Sequence, residues 1–226
     1  MLQWLYDAPM NVPIKQAFSY ENFLHYSMCM VGGFCGSYAL LLRGNFGSAQ
    51  TANLIQMFIS ISEVSVLDAF VRISALGIFM ISLFISSFLR EKYTEASVRI
   101  CLLVEIVGVC MIGVIPRQAD DLLALLPLFA LTAFQWGVFN GTKEYVSPTL
   151  FSTGNIRQCI QAWMDYHLNS TASSKVKGTF YGYTLLHYHL GVLAGIALIP
   201  VFGVRSILFC LLPLLVNLKL ESQTKG

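Results

Sequence analysis

Six runs of mostly apolar residues constrain this chain more than any other feature. They cover about residues 22–42, 67–89, 98–115, 122–140, 181–200 and 204–220. Each comes close to the roughly 20 residues a helix needs to cross about 30 Å of hydrocarbon. A soluble bundle of buried helices is the competing fold, but it needs charged outer faces, and residues 70–88 hold one charge, Arg72. Hydrophobic residues make up 56% of the chain and charged ones 12%, against about a quarter charged in average soluble domains. The apolar surplus calls for a bilayer. The pattern predicts an all-α polytopic membrane protein with six transmembrane helices. A net charge of +2 is too balanced for a nucleic-acid partner.

Residues 1–21 hold Asp7, Pro9, Pro13 and Glu21 and lack the continuous apolar core of a cleaved signal. They read as an interfacial segment, leaving the first span as an uncleaved insertion signal. Residues 221–226 read as a tail. With six crossings and a cytoplasmic N-terminus, Lys15, Arg90, Lys92, Arg99, Lys143, Arg157, Lys175, Lys177, Lys219 and Lys225 fall on the cytoplasmic side, and Arg43, Arg117 and Arg205 on the other. That asymmetry follows the positive-inside rule and places both termini in the cytoplasm. The six cysteines form no CxxC and read as free thiols packed like small hydrophobes. Residues 168–178 (LNSTASSKVKG) read as a mobile polar loop.

A short internal repeat adds topology. Thr51-Ala52-Asn53-Leu54 superposes on Thr153-Gly154-Asn155-Ile156 and aligns Gln56 with Gln158. Each segment follows the first span of a three-span set, about residues 22–116 and 122–220. Three spans per half is an odd number, so the second half enters from the opposite side, a 3+3 inverted repeat. The stretches after the T-x-N signals, residues 54–61 and 156–163, read as two short half-helices. Thr and Asn oxygens can cap the first free N–H groups. Opposed half-helix starts would bring two positive dipole ends near the midplane, a place for a polar or anionic solute. Ordinary amphipathic surface helices with good caps are the competing reading.

Gly33-Phe34-Cys35-Gly36-Ser37, Leu42-Arg43-Gly44, Ala49-Gln50-Thr51-Ala52-Asn53-Leu54, Phe134-Gln135-Trp136 and Ser152-Thr153-Gly154-Asn155-Ile156 together resemble the YoaK-like family of bacterial integral membrane proteins, a domain of unknown function. The resemblance runs over about residues 22–220 and implies a six-helix protein of the bacterial inner (plasma) membrane. The chain departs from the family pattern in lacking an acidic residue near Gly36, an Asn near Trp136 and a Gly at Ala52. A coupling role for that acidic group therefore does not carry over.

Polar groups inside spans are costly and face the bundle interior. Glu105 is the clearest, read either as a proton or cation relay or as a structural hydrogen-bonding group. Arg72 can snorkel to the interface and pair with Asp68 at i,i+4. His187 and His189 point to opposite sides of one helix, so they cannot share a metal. His25 reads as interfacial. Gln50, Gln56, Gln135, Asn140 and Gln158 are neutral groups able to line a path. Gly191 and Gly195 form a G-x-x-x-G packing signal. Walker, H-E-x-x-H and G-x-S-x-G patterns are absent, so no enzyme, cofactor or metal is expected. The reading that follows is a small-solute secondary transporter. Thr51, Asn53, Gln135, Thr153, Gly154, Asn155 and Glu105 would contact the solute or frame its site. A passive channel and a non-transporting membrane scaffold are the alternatives, and a homo-oligomer is left open.

Overall fold

The computed structural model describes residues 19–45, 47, 50–63 and 66–223. Most of the interfacial segment at residues 1–21 lies outside them. The described chain is helical: α1 (Tyr20–Arg43), α2 (Gln50–Ser62), α3 (Val66–Lys92), α4 (Thr94–Gly113), a short α5 (Asp121–Ala124), α6 (Leu126–Val138), α7 (Ser152–Asn169), α8 (Ala172–Phe202), a 3-10 stretch (Gly203–Cys210) and α9 (Leu211–Gln223). Among the described residues four stretches are long and apolar enough to cross a membrane: Val66–Lys92, Thr94–Gly113, Asp121–Val138 and Ala172–Gln223.

The last of these is too long for one crossing, and it turns back on itself. Gly203 adopts φ 56°, a left-handed conformation suited to glycine. Beyond it, Val204 accepts a hydrogen bond from Tyr38, and Asn217 lies 3.5 Å from the Met28 sulfur. Residue numbers rise along α9 as they fall along α1, so α9 runs antiparallel to α1. By contrast α8 is parallel to α1: Phe180 stacks on His25, and Gly195 meets Ser37.

α1 is the central element. It begins at Ser19, whose hydroxyl accepts from Asn22 N–H, and ends at Gly44 with φ 61°. At about 1.5 Å per residue its 24 residues reach about 36 Å. It is absent from the four apolar stretches because His25, Tyr26, Ser27, Ser37 and Tyr38 dilute its hydropathy. These polar residues are buried by neighbouring helices instead of facing lipid. α8 packs so closely on α1 that a side chain at Gly191 would collide with the Met30 carbonyl and one at Gly33 with the Tyr188 carbonyl. The G-x-x-x-G signal is thus a close helix crossing. The outward faces of α3, with Phe70, Ile81 and Phe84 exposed, are apolar where lipid is the expected neighbour.

Several expectations are corrected. Residues 168–178 are no loop: α7 ends at Asn169 and α8 begins at Ala172. Ser170 takes φ 52°, Asn169 Nδ2 donates to Asp165, and Ser174 Oγ donates to the same carboxylate. One side chain from each helix thus meets on Asp165, while the Ser170 backbone N–H closes the end of α7 on the Tyr166 carbonyl. The tail is helical to Gln223, with Glu221 buried. α7, at 18 residues, is longer than a half-span helix. His25 is 1% exposed and therefore interior. Asp68 and Arg72 form no ion pair among the described residues; Asp68 is exposed while Arg72 Nε and Nη1 are buried. His187 and His189 do divide, His187 stacking on Tyr26 while His189 is exposed.

Candidate functional site

After α6 the chain does not enter a helix directly. Residues 139–151 run without helix, tied near their start by the Gly141–Val146 bridge. At one end Lys143 N–H donates to Glu21 at the start of α1, 2.7 Å. Further on, Thr149 lies against Gly32, whose added Cβ would sit 2.5 Å from the Thr149 carbonyl. Gly32 is midway along α1. The extended stretch therefore descends from the end of the bundle to its middle, and α7 begins there.

Non-helical backbone at that depth survives only if its polar groups are satisfied within the protein. Ser147 and Thr149 are fully buried, and side chains supply the partners. Asn155 Nδ2 donates to the carbonyls of Pro148 (3.0 Å) and Phe151 (2.9 Å). Tyr181 hydroxyl donates to the Val146 carbonyl, 2.8 Å. Gln135 Nε2 donates to the Met28 carbonyl and to Thr149 Oγ1, both 2.9 Å, and Thr149 Oγ1 donates to the Phe139 carbonyl, 3.4 Å.

The geometry also fixes a tautomer. Both Asn155 amide protons go to carbonyls, so Oδ1 is the acceptor, and it takes the Ser147 hydroxyl proton at 2.9 Å. Ser147 Oγ then accepts from His25 Nε2 at 3.1 Å. Nε2 carries the proton and Nδ1 is a bare acceptor. Among the described residues His25 Nδ1 has no hydrogen-bond partner, nor do Gln135 Oε1, Tyr26 hydroxyl and Thr184 Oγ1, all buried. Phe180 stacks on His25 with centroids 5.2 Å apart, and His187 on Tyr26 at 5.1 Å. On the far side of Phe180 a polar cavity of about 230 Å³ opens, lined by Glu21, Asn22, Lys143, Tyr145 and Phe180. Two unpaired acceptors and two unpaired hydroxyls are thus buried in the interior, and none of the four residues lines that cavity.

Of the expected site residues, the structure brings together Gln135 and Asn155. The cap reading is corrected for the second segment: α7 starts at Ser152, its N-cap Phe151 has no side-chain capping bond, and Asn155 reaches back to carbonyls instead. Thr153 and Gly154 are exposed on the outer side of α7. Thr51 is exposed and Asn53 buried on α2, which packs on α3, whereas α7 packs on α8. The two T-x-N segments are thus held by different neighbouring helices. Glu105 is 1% exposed on α4, near the thiols of Cys35 and Cys101, with neither oxygen hydrogen-bonded among the described residues. Sequence reasoning passed over Tyr26, Ser147, Thr149, Phe180 and Thr184. The Ser-Pro-Thr run at 147–149, with proline holding an extended backbone, was the available signal.

A buried non-helical stretch and four long helical stretches apolar enough to cross a membrane define a polytopic helical membrane protein. Residues 24–218 match the family described as Protein of unknown function (DUF1275), and the chain belongs to that family. No curated protein and no solved structure matches it.

Proposed function

We propose that the chain is a small-solute secondary transporter built as a 3+3 inverted repeat of six crossings. These are α1, α3, α4, α5–α6, α8 and the 3-10 stretch with α9. The reading rests above all on two contacts that exchange under the repeat. Arg43, ending α1, pairs with Asp121, which starts α5, 3.1 Å. Lys143, just beyond α6, donates through its backbone to Glu21 at the start of α1. Arg43 stands to α1 as Lys143 stands to α6, and Glu21 as Asp121. One antiparallel pair is therefore clamped at both ends by equivalent positions. The larger packing exchanges too: α1 lies on α8 and α6 on α3, while α2 lies on α3 and α7 on α8. In the first half, Gly47 packs against Leu128 of α6, as Thr149 packs against α1 in the second.

Transport follows from rocking one half against the other, with the end clamps closing alternately. The solute class follows from the unpaired groups. His25 Nδ1 and Gln135 Oε1 accept, and the Tyr26 and Thr184 hydroxyls adapt, so the site favours a small polar solute carrying N–H or O–H donors. Asn155 positions the stretch rather than touching solute. Thr51, Asn53, Thr153, Gly154 and Glu105 lie on other helix faces and act on the conformational change. The Lys and Arg distribution supports cytoplasmic placement of both termini, and the family resemblance implies the bacterial plasma membrane.

The test is a thermal-shift screen of the purified protein against metabolite pools, with Tyr26→Phe/Thr184→Val as the reference variant. Both changes remove hydroxyls that no protein group pairs, so the fold stays. A pool that stabilises the wild type and not the variant supports the reading. Equal shifts in both, or none from any pool, overturn it. Saturable flux driven by an ion gradient in proteoliposomes then distinguishes carrier from passive channel.

A further inference from the structure

A second polar cavity, of about 530 Å³, opens sideways between the ends of α3 and α6. Its lining includes Ser87, Arg90, Glu91, Trp136 and Asn140. Neither the Arg90 guanidinium nor the Glu91 carboxylate is in an ion pair among the described residues. The surrounding fold does not require this polarity. A cavity at the exchanged position, between α1 and α8, has Val192 and Ile196 where Ser87 and Glu91 stand, and Gly36 and Leu40 where Trp136 and Asn140 stand. That comparison rests on the repeat proposed above; the cavity itself does not. Along α3 the same face continues away from the helix end through Phe84 and Met80, 73% and 60% exposed. Met80, Phe84, Ser87 and Glu91 follow the i, i+4, i+7, i+11 spacing of one helix stripe.

A groove that is apolar along its length and carries an unpaired cation, an unpaired anion, an amide and an indole at its end matches one kind of molecule. We propose that this cavity binds the headgroup of a zwitterionic ethanolamine phospholipid from the bilayer. Arg90 and Asn140 meet the phosphate, Glu91 takes the primary ammonium, and the acyl chain lies over Phe84 and Met80. Arg90 offers a planar set of donors suited to phosphate oxygens, and Trp136 sits where amphipathic rings mark the hydrocarbon boundary.

The test equilibrates the purified full-length protein with vesicles of phosphatidylethanolamine, phosphatidylcholine or phosphatidylglycerol and counts retained lipid by native mass spectrometry. The expected result is selective retention of the ethanolamine lipid by the wild type. Arg90→Gln lowers retention of the ethanolamine and glycerol lipids alike, by about tenfold, the worth of one charge-assisted contact. Glu91→Gln lowers only the ethanolamine lipid and brings it level with phosphatidylglycerol. Unchanged thermal unfolding of both variants in lipid-free detergent shows that the effect is local. Equal retention of all three lipids, or retention indifferent to Arg90→Gln, overturns the proposal. Displacement of the lipid by millimolar phosphoethanolamine also overturns it, since the site would then serve a soluble phosphoester. None of these outcomes depends on solute transport.

Discussion

Arg43 and Asp121, far apart in sequence, meet at 3.1 Å where α1 ends and α5 begins. The guanidinium does more than pair with the carboxylate. It also donates to the carbonyls of Pro116 (2.9 Å), Arg117 and Ala119 (both 3.0 Å). The Arg43 side chain is 2% exposed, while Asp121 is half exposed and shared with Arg117 at 2.8 Å. The buried member thus organises a turn of backbone, and the exposed member completes it.

Replacing Arg43 should therefore cost more than replacing its partner. Arg43→Met leaves three carbonyls without their donor and should lower stability by about 3 kcal/mol, the range for breaking a buried charged network. Asp121→Asn keeps the carbonyl contacts and should cost under about 1 kcal/mol. Thermal unfolding of both variants in one detergent checks the order; equal losses would mean that the ion pair, not the carbonyl set, holds the turn.

Asn155→Ala should loosen the re-entrant stretch specifically. It strips the donor from the Pro148 and Phe151 carbonyls and the acceptor from Ser147, at a cost of about 1–3 kcal/mol. Hydrogen exchange should rise over residues 147–156 and stay unchanged in α4. Uniform change across the molecule would contradict a local role.

Gly191→Ala should separate α8 from α1, because the new methyl meets the Met30 backbone, which has no rotamer to yield. A loss of about 2 kcal/mol is expected. Gly182→Ala, on the same helix with open space around its added Cβ, should be neutral or slightly stabilising through helix propensity. Comparing the two melting temperatures separates crossing geometry from propensity.

Glu105→Gln tests whether the buried carboxyl is structural. Neither oxygen has a hydrogen-bond partner, so the substitution removes no protein contact and should leave the melting temperature equal or higher. If Glu105 acts on the conformational cycle, gradient-driven uptake falls in the same variant. A marked loss of stability would assign it a structural role instead.

Asp165 gives a pH signature at the α7–α8 turn. Hydrogen bonds from Ser174 and then Asn169 hold its carboxyl below the usual carboxylate range. A lowered folded-state value stabilises the turn above the unfolded carboxyl's pKa, about 4, and the contribution fades as pH falls through the folded value. Exchange at residues 169–176, corrected for intrinsic rates, should rise at low pH in the wild type. Asp165→Asn should be flat over the same range.

The sequence by itself pointed to the membrane class, because a water-soluble bundle needs charged outer faces and runs such as residues 70–88 hold one charge. It placed most helices, because hydrophobic runs of that length have one low-energy conformation in lipid. It also marked residues 146–158 as unusual and identified Gln135 and Asn155 as interior polar groups. Only the tertiary structure decided what those groups do. Asn155 looked like a cap by its residue type, yet the unpaired carbonyls of a stretch folded back to mid-depth claim its amide first. His25 looked interfacial by its position near a helix start, until packing against Phe180 and Ser147 enclosed it. The turn at Asn169–Thr171 looked like a loop because Ser, Thr and Asn are common there, yet Asn169 and Ser174 both donate to the Asp165 carboxylate and tie the two helices together. Hydrogen-bond competition is settled by which partners are near, and the backbone path that decides this, between neighbours as for Asn155 or across the chain as for His25 and Ser147, is set by packing and not by residue type.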